Sequence, residues 1–287
     1  MSTLYHYCNT NAFVSIIKLR SLWLSSLVLS NDTMEGRIVN RVILELARDN
    51  GLNGYPLQRL EEGVRTMEKT FHGLGFCLSK DGDLLSQWRG YADNASGLSI
   101  GFSQAYLEKL AEVLKEKKAP SFTLQKVEYE PDAHKTQIAP TYKELRKLID
   151  AGALKMPTPI TLLDTRTDVE VKEDQQKNID ADMKLFFKLL ELYPKLFLLK
   201  GYGFREEREW RLVYTVVRGI ADICDYRAAS GSIVPYIEFD IADLDMQVID
   251  EVVLGPRHPT PPEIVTDMLE RSGFKDVRVR RSEASYR

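Results

Sequence analysis

The stretch Gly203-Phe-Arg-Glu-Glu-Arg-Glu-Trp-Arg-Leu-Val-Tyr214 leads into the clearest strand signal of the chain. Residues 210–217 are rich in β-branched and aromatic side chains, which predicts a β-strand. Alternate residues of a strand share one face and lie about 7 Å apart. Extended backward, this strand places Glu207, Glu209 and Arg211 on one face. In a cleft, the arginine would keep the two coupled carboxylates ionised, whereas on a solvated edge the same stripe is ordinary surface charge.

The start of the chain alternates strand-like and helix-like segments. An aromatic, apolar run at 4–8 predicts a strand, helical spacing at 12–19 predicts a helix, and 22–26 predicts a second strand, which together give a βαβ opening. Further strands are predicted at 75–79, 98–102, 122–129, 211–217, 233–239, 250–254 and 275–281. Further helices are predicted at 35–49, 57–70, 84–91, 104–118 and from 260 onward.

These elements predict one α+β domain over residues 1–287, built on a mixed, mainly antiparallel sheet. Residues 131–200 are helical in character and interrupt the strand pattern, so we interpret them as a helical insertion or subdomain. Within this segment, residues 164–182 are acidic and poorly periodic, which predicts a loop.

Composition limits the function classes. Hydrophobic residues make up 44% and charged residues 28% of the chain, and the net charge of −3 gives no general attraction to nucleic acid or anionic membranes. No apolar run approaches the roughly 20 residues of a membrane span, so we expect a cytoplasmic protein without a membrane partner. The chain contains no Cys-x-x-Cys or paired-histidine motif, and we expect no bound metal.

Candidate binding residues follow the first two predicted strands. His6 lies in the middle of the first strand, between two tyrosines. Ser26 ends the second strand, and Asn31 and Asp32 come soon after it. These side chains either contact a ligand or fill ordinary roles, as a core histidine, a helix cap and a turn.

A second group of candidates lies near the predicted strand at 75–79. Trp88 and Tyr91 are three residues apart and share a helix face, which fits either core packing or an aromatic wall for a planar ligand ring. Ser79 ends the preceding strand, where connections to helices often carry ligand-binding groups.

Seven short motifs occur in an order that resembles a bacterial domain-of-unknown-function family, DUF2971. The helical segment 131–200 lies outside these motifs, and the family label implies no activity. The motifs are Leu4-Tyr-His-Tyr7, Leu22-Trp-Leu-Ser-Ser26, Asn31-Asp-x-x-Glu35, Phe76-Cys-Leu-Ser79, Trp88-x-x-Tyr-Ala92, Gly97-Leu-Ser-Ile-Gly-Phe102 and Glu207-x-Glu-x-Arg211.

The chain also resembles, more distantly, the ADP-ribosyltransferase fold. This resemblance implies that His6 binds the nicotinamide-side ribose of NAD, that Glu209 is the catalytic glutamate and that Glu207 orients the incoming nucleophile. Arg211 either contributes to the site or pairs with Glu209 in a structural role. Including Arg211, the residues expected around NAD are His6, Tyr7, Ser26, Asn31, Asp32, Ser79, Trp88, Tyr91 and Arg211.

Three functions therefore compete. The first is an NAD-using ADP-ribosyltransferase or NAD glycohydrolase, of the kind found in bacterial toxins and anti-phage defence effectors, with a protein, a nucleic acid or water as acceptor. The second is a non-catalytic module that senses a nucleotide or nucleic acid through stacked aromatic residues. The third is a metal-dependent nuclease or phosphoesterase that uses Asp32, Glu35, Glu207 and Glu209.

Overall fold

In the computed structural model, the described residues include ten strands that form one sheet, and helices pack against it. The structure describes residues 2–29, 34, 36–118, 120–157, 166–217, 224–229 and 231–285. The strands are β1 Thr3–Cys8, β2 Ser21–Ser26, β3 Phe71–Ser79, β4 Leu98–Ser103, β5 Thr123–Lys126, β6 Glu209–Val217, β7 Asp225–Ala229, β8 Ser232–Asp240, β9 Ile249–Leu254 and β10 Arg278–Arg281. The α-helices are α1 Thr10–Leu19, α2 Ile38–Asp49, α3 Gly54–Thr70, α4 Leu85–Tyr91, α5 Gln104–Glu116, α6 Pro131–Asp150, α7 Asp168–Leu190 and α8 Pro262–Arg271.

The sheet confirms the predicted α+β class with a mixed, mainly antiparallel sheet. Its main path runs β10-β9-β4-β1-β3-β2-β8-β7, and β6 joins β3 to β5. Only β9 and β10 pair in parallel among the described strands; the other pairs are antiparallel. The predicted strands and helices are present, and β7 is an additional strand that the sequence patterns did not indicate.

The sheet forks at β3. Along its whole length β3 pairs with β6, which occupies one of its two edges. β1 and β2 must therefore share the other edge, where β1 pairs at Tyr5↔Ser79 and β2 pairs from Ser25↔Gly75. Residues 76–78 lie between these two pairings and have no strand partner on that edge among the described residues. β1 and β2 thus run parallel, as the βαβ opening predicts, but β3 lies between them and they diverge.

Two hydrophobic cores lie on opposite faces of the sheet. Leu74, Phe76 and Leu78 of β3 belong to a core with α1, α5 and α8, whereas Phe71 and Cys77 contact a core built by α2, α3, α6 and α7. This division follows from the alternation of side chains along a strand. The helices of the segment 131–200 therefore pack in the same layer as α2 and α3.

The predicted loop at 164–182 is wrong from residue 168 onward, because α7 begins there. Thr167 caps the helix by accepting from the backbone N–H of Glu170, whose side chain accepts in return from the backbone N–H of Thr167. Leu185 and Leu189 are the buried residues of α7, so most of the helix lacks the apolar periodicity that would have revealed it. None of the described helices combines the length and apolarity that a membrane span needs.

Candidate functional site

A cleft of about 590 Å³ opens where β1 and β2 separate. This volume lies in the usual range for small-molecule sites, roughly 300–1,000 Å³. The cleft lining within the described residues contains no aspartate or glutamate and one side chain that is always cationic, Arg227. Its polar and aromatic lining includes His6, Asn9, Asn11, Ser21, Trp23, Ser25, Ser26, Tyr91 and Arg227.

His6 of β1 contacts β3 at the point where β1 and β2 diverge. Its Nδ1 lies 2.8 Å from the carbonyl oxygen of Cys77, and its ring stacks on Phe76 with centroids 3.9 Å apart. Because a carbonyl only accepts, Nδ1 carries the proton and Nε2 is the basic nitrogen. Burial lowers the pKa of His6, the bond to Cys77 opposes this effect and the charge of Arg227 adds to it, so that the pKa is about 4. At neutral pH, His6 therefore presents an uncharged ring with an acceptor nitrogen.

A smaller recess of about 80 Å³ adjoins the cleft at His6, Cys77 and Tyr91, which line both spaces. Glu207, Glu209 and Arg211 line the same recess. The structure thus brings together His6 and the charged residues of the opening sequence stretch, although about 200 residues of chain separate them. The recess is lined by His6, Tyr7, Cys77, Leu78, Gln87, Tyr91, Lys200, Glu207, Glu209 and Arg211.

Four buried ionic side chains form one network in the recess. Arg211 binds Glu209 through two hydrogen bonds, Nε to Oε1 at 2.8 Å and a terminal nitrogen to Oε2 at 3.0 Å. Lys200 Nζ bridges the two carboxylates, 3.0 Å from Oε2 of Glu209 and 2.6 Å from Oε2 of Glu207. Two carboxylates and two cations leave the network with no net charge, which is the arrangement that burial favours.

Glu209 is locked in this network. Burial alone would favour its neutral acid, but Arg211 and Lys200 outweigh burial and lower the pKa of Glu209 to about 2. Arg211 is 1% exposed and also donates to the carbonyl oxygen of Phe197 at 2.7 Å. Both oxygens of Glu209 already accept hydrogen bonds from charged donors, so this carboxylate has little capacity left for a ligand.

Glu207 has more capacity for a ligand than Glu209. Its Oε2 accepts from Lys200, but within the described residues its Oε1 accepts only from the Tyr91 hydroxyl, at a long 3.2 Å. Tyr91 is 38% exposed and lines both the recess and the cleft, so a ligand can displace its hydroxyl without opening the core. Glu207 is therefore the carboxylate of the network that a bound molecule can reach.

The predicted strand extension to Glu207 is wrong. β6 begins at Glu209, and Glu207 ends a 3-10 helix, Tyr202–Glu207. Arg208 lies between them and has a left-handed backbone conformation, with φ at 43°. This conformation breaks the alternation of side chains along a strand. The Ser79 hydroxyl donates to the carbonyl oxygen of Glu207 at 2.8 Å and holds this turn in place.

Lys200 is a site residue that sequence reasoning missed. Its backbone N–H donates to the carbonyl oxygen of Glu128 at 3.0 Å, where Leu199 and Glu128 form a parallel β-bridge. The side chain is 4% exposed, and Glu209 and Glu207 raise its pKa against the opposing effect of burial. Lys200 lies at the end of the long helical segment, where no motif or periodicity in the sequence indicates a site residue. Its position in the recess depends on the tertiary contact with Glu128.

Trp88 is not part of the aromatic wall that its spacing with Tyr91 suggested. It is fully buried, its Nε1 donates to Asp83 at 2.7 Å, and Tyr7 packs edge-on against it. Tyr7 is 5% exposed and its hydroxyl donates to the carbonyl oxygen of Asp81, yet its ring lines the recess. Tyr91 alone of these two helix residues lines the ligand space.

The remaining predicted residues have different positions. Ser26 lines the cleft, and its hydroxyl is 2.8 Å from Nε2 of His72. Ser79 is 2% exposed, and its hydroxyl donates to the backbone carbonyl of Glu207 rather than facing the ligand space. Asn31, Asp32 and Glu35 lie outside the described residues. In the part of the chain that the structure describes, no group of three or more His, Cys, Asp or Glu side chains is placed to hold a metal ion.

The low pKa of Glu209 predicts a loss of stability in acid. The folded carboxyl titrates near pH 2 and the ordinary value is 4.5, so the unfolded chain binds the proton first as the pH falls. The stability from this group is complete above about pH 4.5 and is lost progressively down to about pH 2. We expect the difference in unfolding free energy between wild type and Glu209→Gln, measured in urea, to shrink across that window. A difference in unfolding free energy that stays constant between pH 4.5 and pH 2 would contradict the low pKa of Glu209.

The comparisons with known proteins give one match, to a family model that covers part of the chain, and no activity. No curated protein and no solved structure matched the chain. One family model matched, over residues 87–212, a range that contains Tyr91 and the four residues of the ionic network. It also contains the whole segment 131–200, which the short motifs had left out. The match over residues 87–212 thus supports the predicted relationship to the family described as "Protein of unknown function (DUF2971)".

Proposed function

We propose that the chain cleaves the nicotinamide glycosidic bond of NAD, as an ADP-ribosyltransferase or an NAD glycohydrolase. The observation that carries the proposal is that His6, Glu207 and Glu209 line one recess at the head of a cleft of ligand size. These are the three residues to which the distant fold resemblance gives catalytic roles. Such an activity suits a bacterial toxin or an anti-phage defence effector.

The chemistry requires a carboxylate beside the ribose. Breaking the glycosidic bond develops positive, oxocarbenium-like charge on the sugar, and a fixed carboxylate stabilises that charge. We assign this role to Glu207, because both oxygens of Glu209 are held by Arg211 and Lys200. Glu209 then positions Lys200, which in turn orients Glu207.

His6 and Tyr91 complete the proposed site. The acceptor nitrogen Nε2 of His6 suits a ribose hydroxyl as hydrogen-bond donor, and it keeps this role while the ring is neutral. Tyr91 stands between recess and cleft and offers a ring face to nicotinamide. The acceptor of the ADP-ribosyl group is a protein side chain, a nucleic acid or water.

Incubation with NAD tests the proposal. We expect NAD to raise the melting temperature of the wild-type protein and free nicotinamide to accumulate in proportion to protein concentration. The Glu206→Gln variant is a matched control, because Glu206 is adjacent in sequence to Glu207 but exposed, and we expect it to behave as wild type. The absence of nicotinamide release would contradict the proposal, whether or not NAD stabilises the protein.

A non-catalytic nucleotide sensor is the second candidate. The charge-balanced network of Glu207, Glu209, Lys200 and Arg211 favours it, since such a network also serves a purely structural purpose. This alternative predicts that NAD or another nucleotide stabilises the protein while no nicotinamide is released. The metal-dependent alternative is less favoured, because Lys200 and Arg211 already neutralise Glu207 and Glu209, two of the four carboxylates that it would use.

A further inference from the structure

Arg227 in the wall of the cleft has no carboxylate partner among the residues that the structure describes. It lies on β7, and one terminal nitrogen donates to the hydroxyl of Ser25 at 3.1 Å. Its Nε is buried and has no hydrogen-bond partner within the described part of the chain. A guanidinium with donors left over is a preferred group for binding carboxylates and phosphates.

The surroundings of Arg227 are rich in donors. Ser21 and Trp23 also line the cleft, and their buried Oγ and Nε1 atoms have no hydrogen-bond partner among the described residues. Asn9, which caps the N-terminus of α1, and Asn11 in its first turn also line the cleft, and this turn contains no acidic residue. The positive end of the helix dipole therefore also meets the cleft.

Acidic residues on the neighbouring strands do not cancel this charge. Asp225 accepts from the hydroxyl of Tyr236, and Glu238 is exposed. Neither residue lines the cleft, and neither forms an ion pair with Arg227 in the described structure. The Arg227 end of the cleft thus combines an unneutralised cation, spare donors and a helix N-terminus.

We propose that this end of the cleft is an anion subsite that binds the diphosphate of a nucleotide ligand. The identity of the ligand rests on the proposed function, whereas the preference for an anion rests on Arg227 and its surroundings. A ligand whose reacting ribose lies at His6 and Glu207 would extend through the cleft toward Arg227. Arginine binds phosphate oxygens through two parallel N–H donors, so the subsite fixes orientation as well as charge.

Calorimetric titration with inorganic pyrophosphate tests the subsite. We expect wild type to bind pyrophosphate, Arg227→Gln to bind it at least tenfold more weakly, and Arg227→Lys to recover part of the affinity. Arg271→Gln is the matched control, because Arg271 is exposed on α8 and should leave the affinity unchanged. Melting temperatures confirm that each variant is folded. Equal affinity in wild type and Arg227→Gln, or no binding by wild type, would overturn the proposal.

A second set of titrations separates this subsite from the proposed activity. The Arg227→Gln variant should bind ADP-ribose and NAD more weakly than wild type does. It should bind nicotinamide riboside, which carries no phosphate, with the wild-type affinity. If the protein releases no nicotinamide but pyrophosphate binding still depends on Arg227, the activity is wrong and the subsite stands. If nicotinamide is released and Arg227→Gln leaves the affinity for NAD unchanged, the activity stands and the subsite is wrong.

Discussion

Replacing Glu209 with glutamine is expected to lower the free energy of unfolding by about 3–5 kcal/mol at neutral pH. Removing one partner of a buried ion pair leaves the other charge buried and uncompensated, and costs of this size follow. Here the orphaned charge is that of Arg211, which is 1% exposed, and Lys200 loses one of its two carboxylates as well. Urea denaturation of the two proteins measures the difference.

Two further variants test whether the loss of stability comes from the uncompensated charge of Arg211. Glu206→Gln changes the same chemical group at an exposed position and should stay within about 0.5 kcal/mol of wild type. Adding Arg211→Met to Glu209→Gln removes the stranded charge and should restore part of the lost stability. A loss below about 1 kcal/mol in Glu209→Gln would show that the network is not a stabilising structural unit.

Replacing Glu207 with glutamine is expected to slow nicotinamide release by about 100-fold to 1,000-fold. Losses of this size accompany the removal of one preorganised group that stabilises charge in the transition state. Glutamine keeps the shape of the side chain and one carbonyl oxygen, so the Tyr91 hydroxyl retains an acceptor. NAD should therefore still raise the melting temperature of the variant. Rates measured at saturating NAD separate lost catalysis from lost binding.

The same assay distinguishes the two glutamates. Glu209→Gln should lose stability and, through the loosened Lys200, some activity; Glu207→Gln should lose activity with a smaller loss of stability. Glu206→Gln should match wild type in both measurements. A Glu207→Gln variant that releases nicotinamide at the wild-type rate would contradict the role assigned to Glu207.

Local patterns in the sequence were sufficient for most of the secondary structure. The strands β1, β2, β4, β6, β8 and β9 follow from short apolar, aromatic or β-branched runs, and the face shared by Glu209 and Arg211 follows from strand alternation. The prediction failed at Glu207, because the left-handed backbone at Arg208 ends the alternation. No propensity of arginine indicates such a conformation.

The rest of the site depends on contacts between distant parts of the chain. Lys200 reaches the recess only because residues 199 and 128 form a β-bridge, and Arg227 reaches the cleft only because β7 pairs with β8. The fork itself arises because β1 and β2 share one edge of β3, which is a property of strand order. A single sequence carries no direct signal for any of these pairings.

A crystal structure of the Glu207→Gln variant with bound NAD would locate the ligand relative to the recess, because this variant should bind NAD but turn it over slowly. We expect the nicotinamide-side ribose within hydrogen-bonding distance of His6 Nε2 and of the side chain at position 207, with the nicotinamide ring against Tyr91. NAD bound elsewhere, or a cleft that stays empty at saturating NAD, would contradict this expectation.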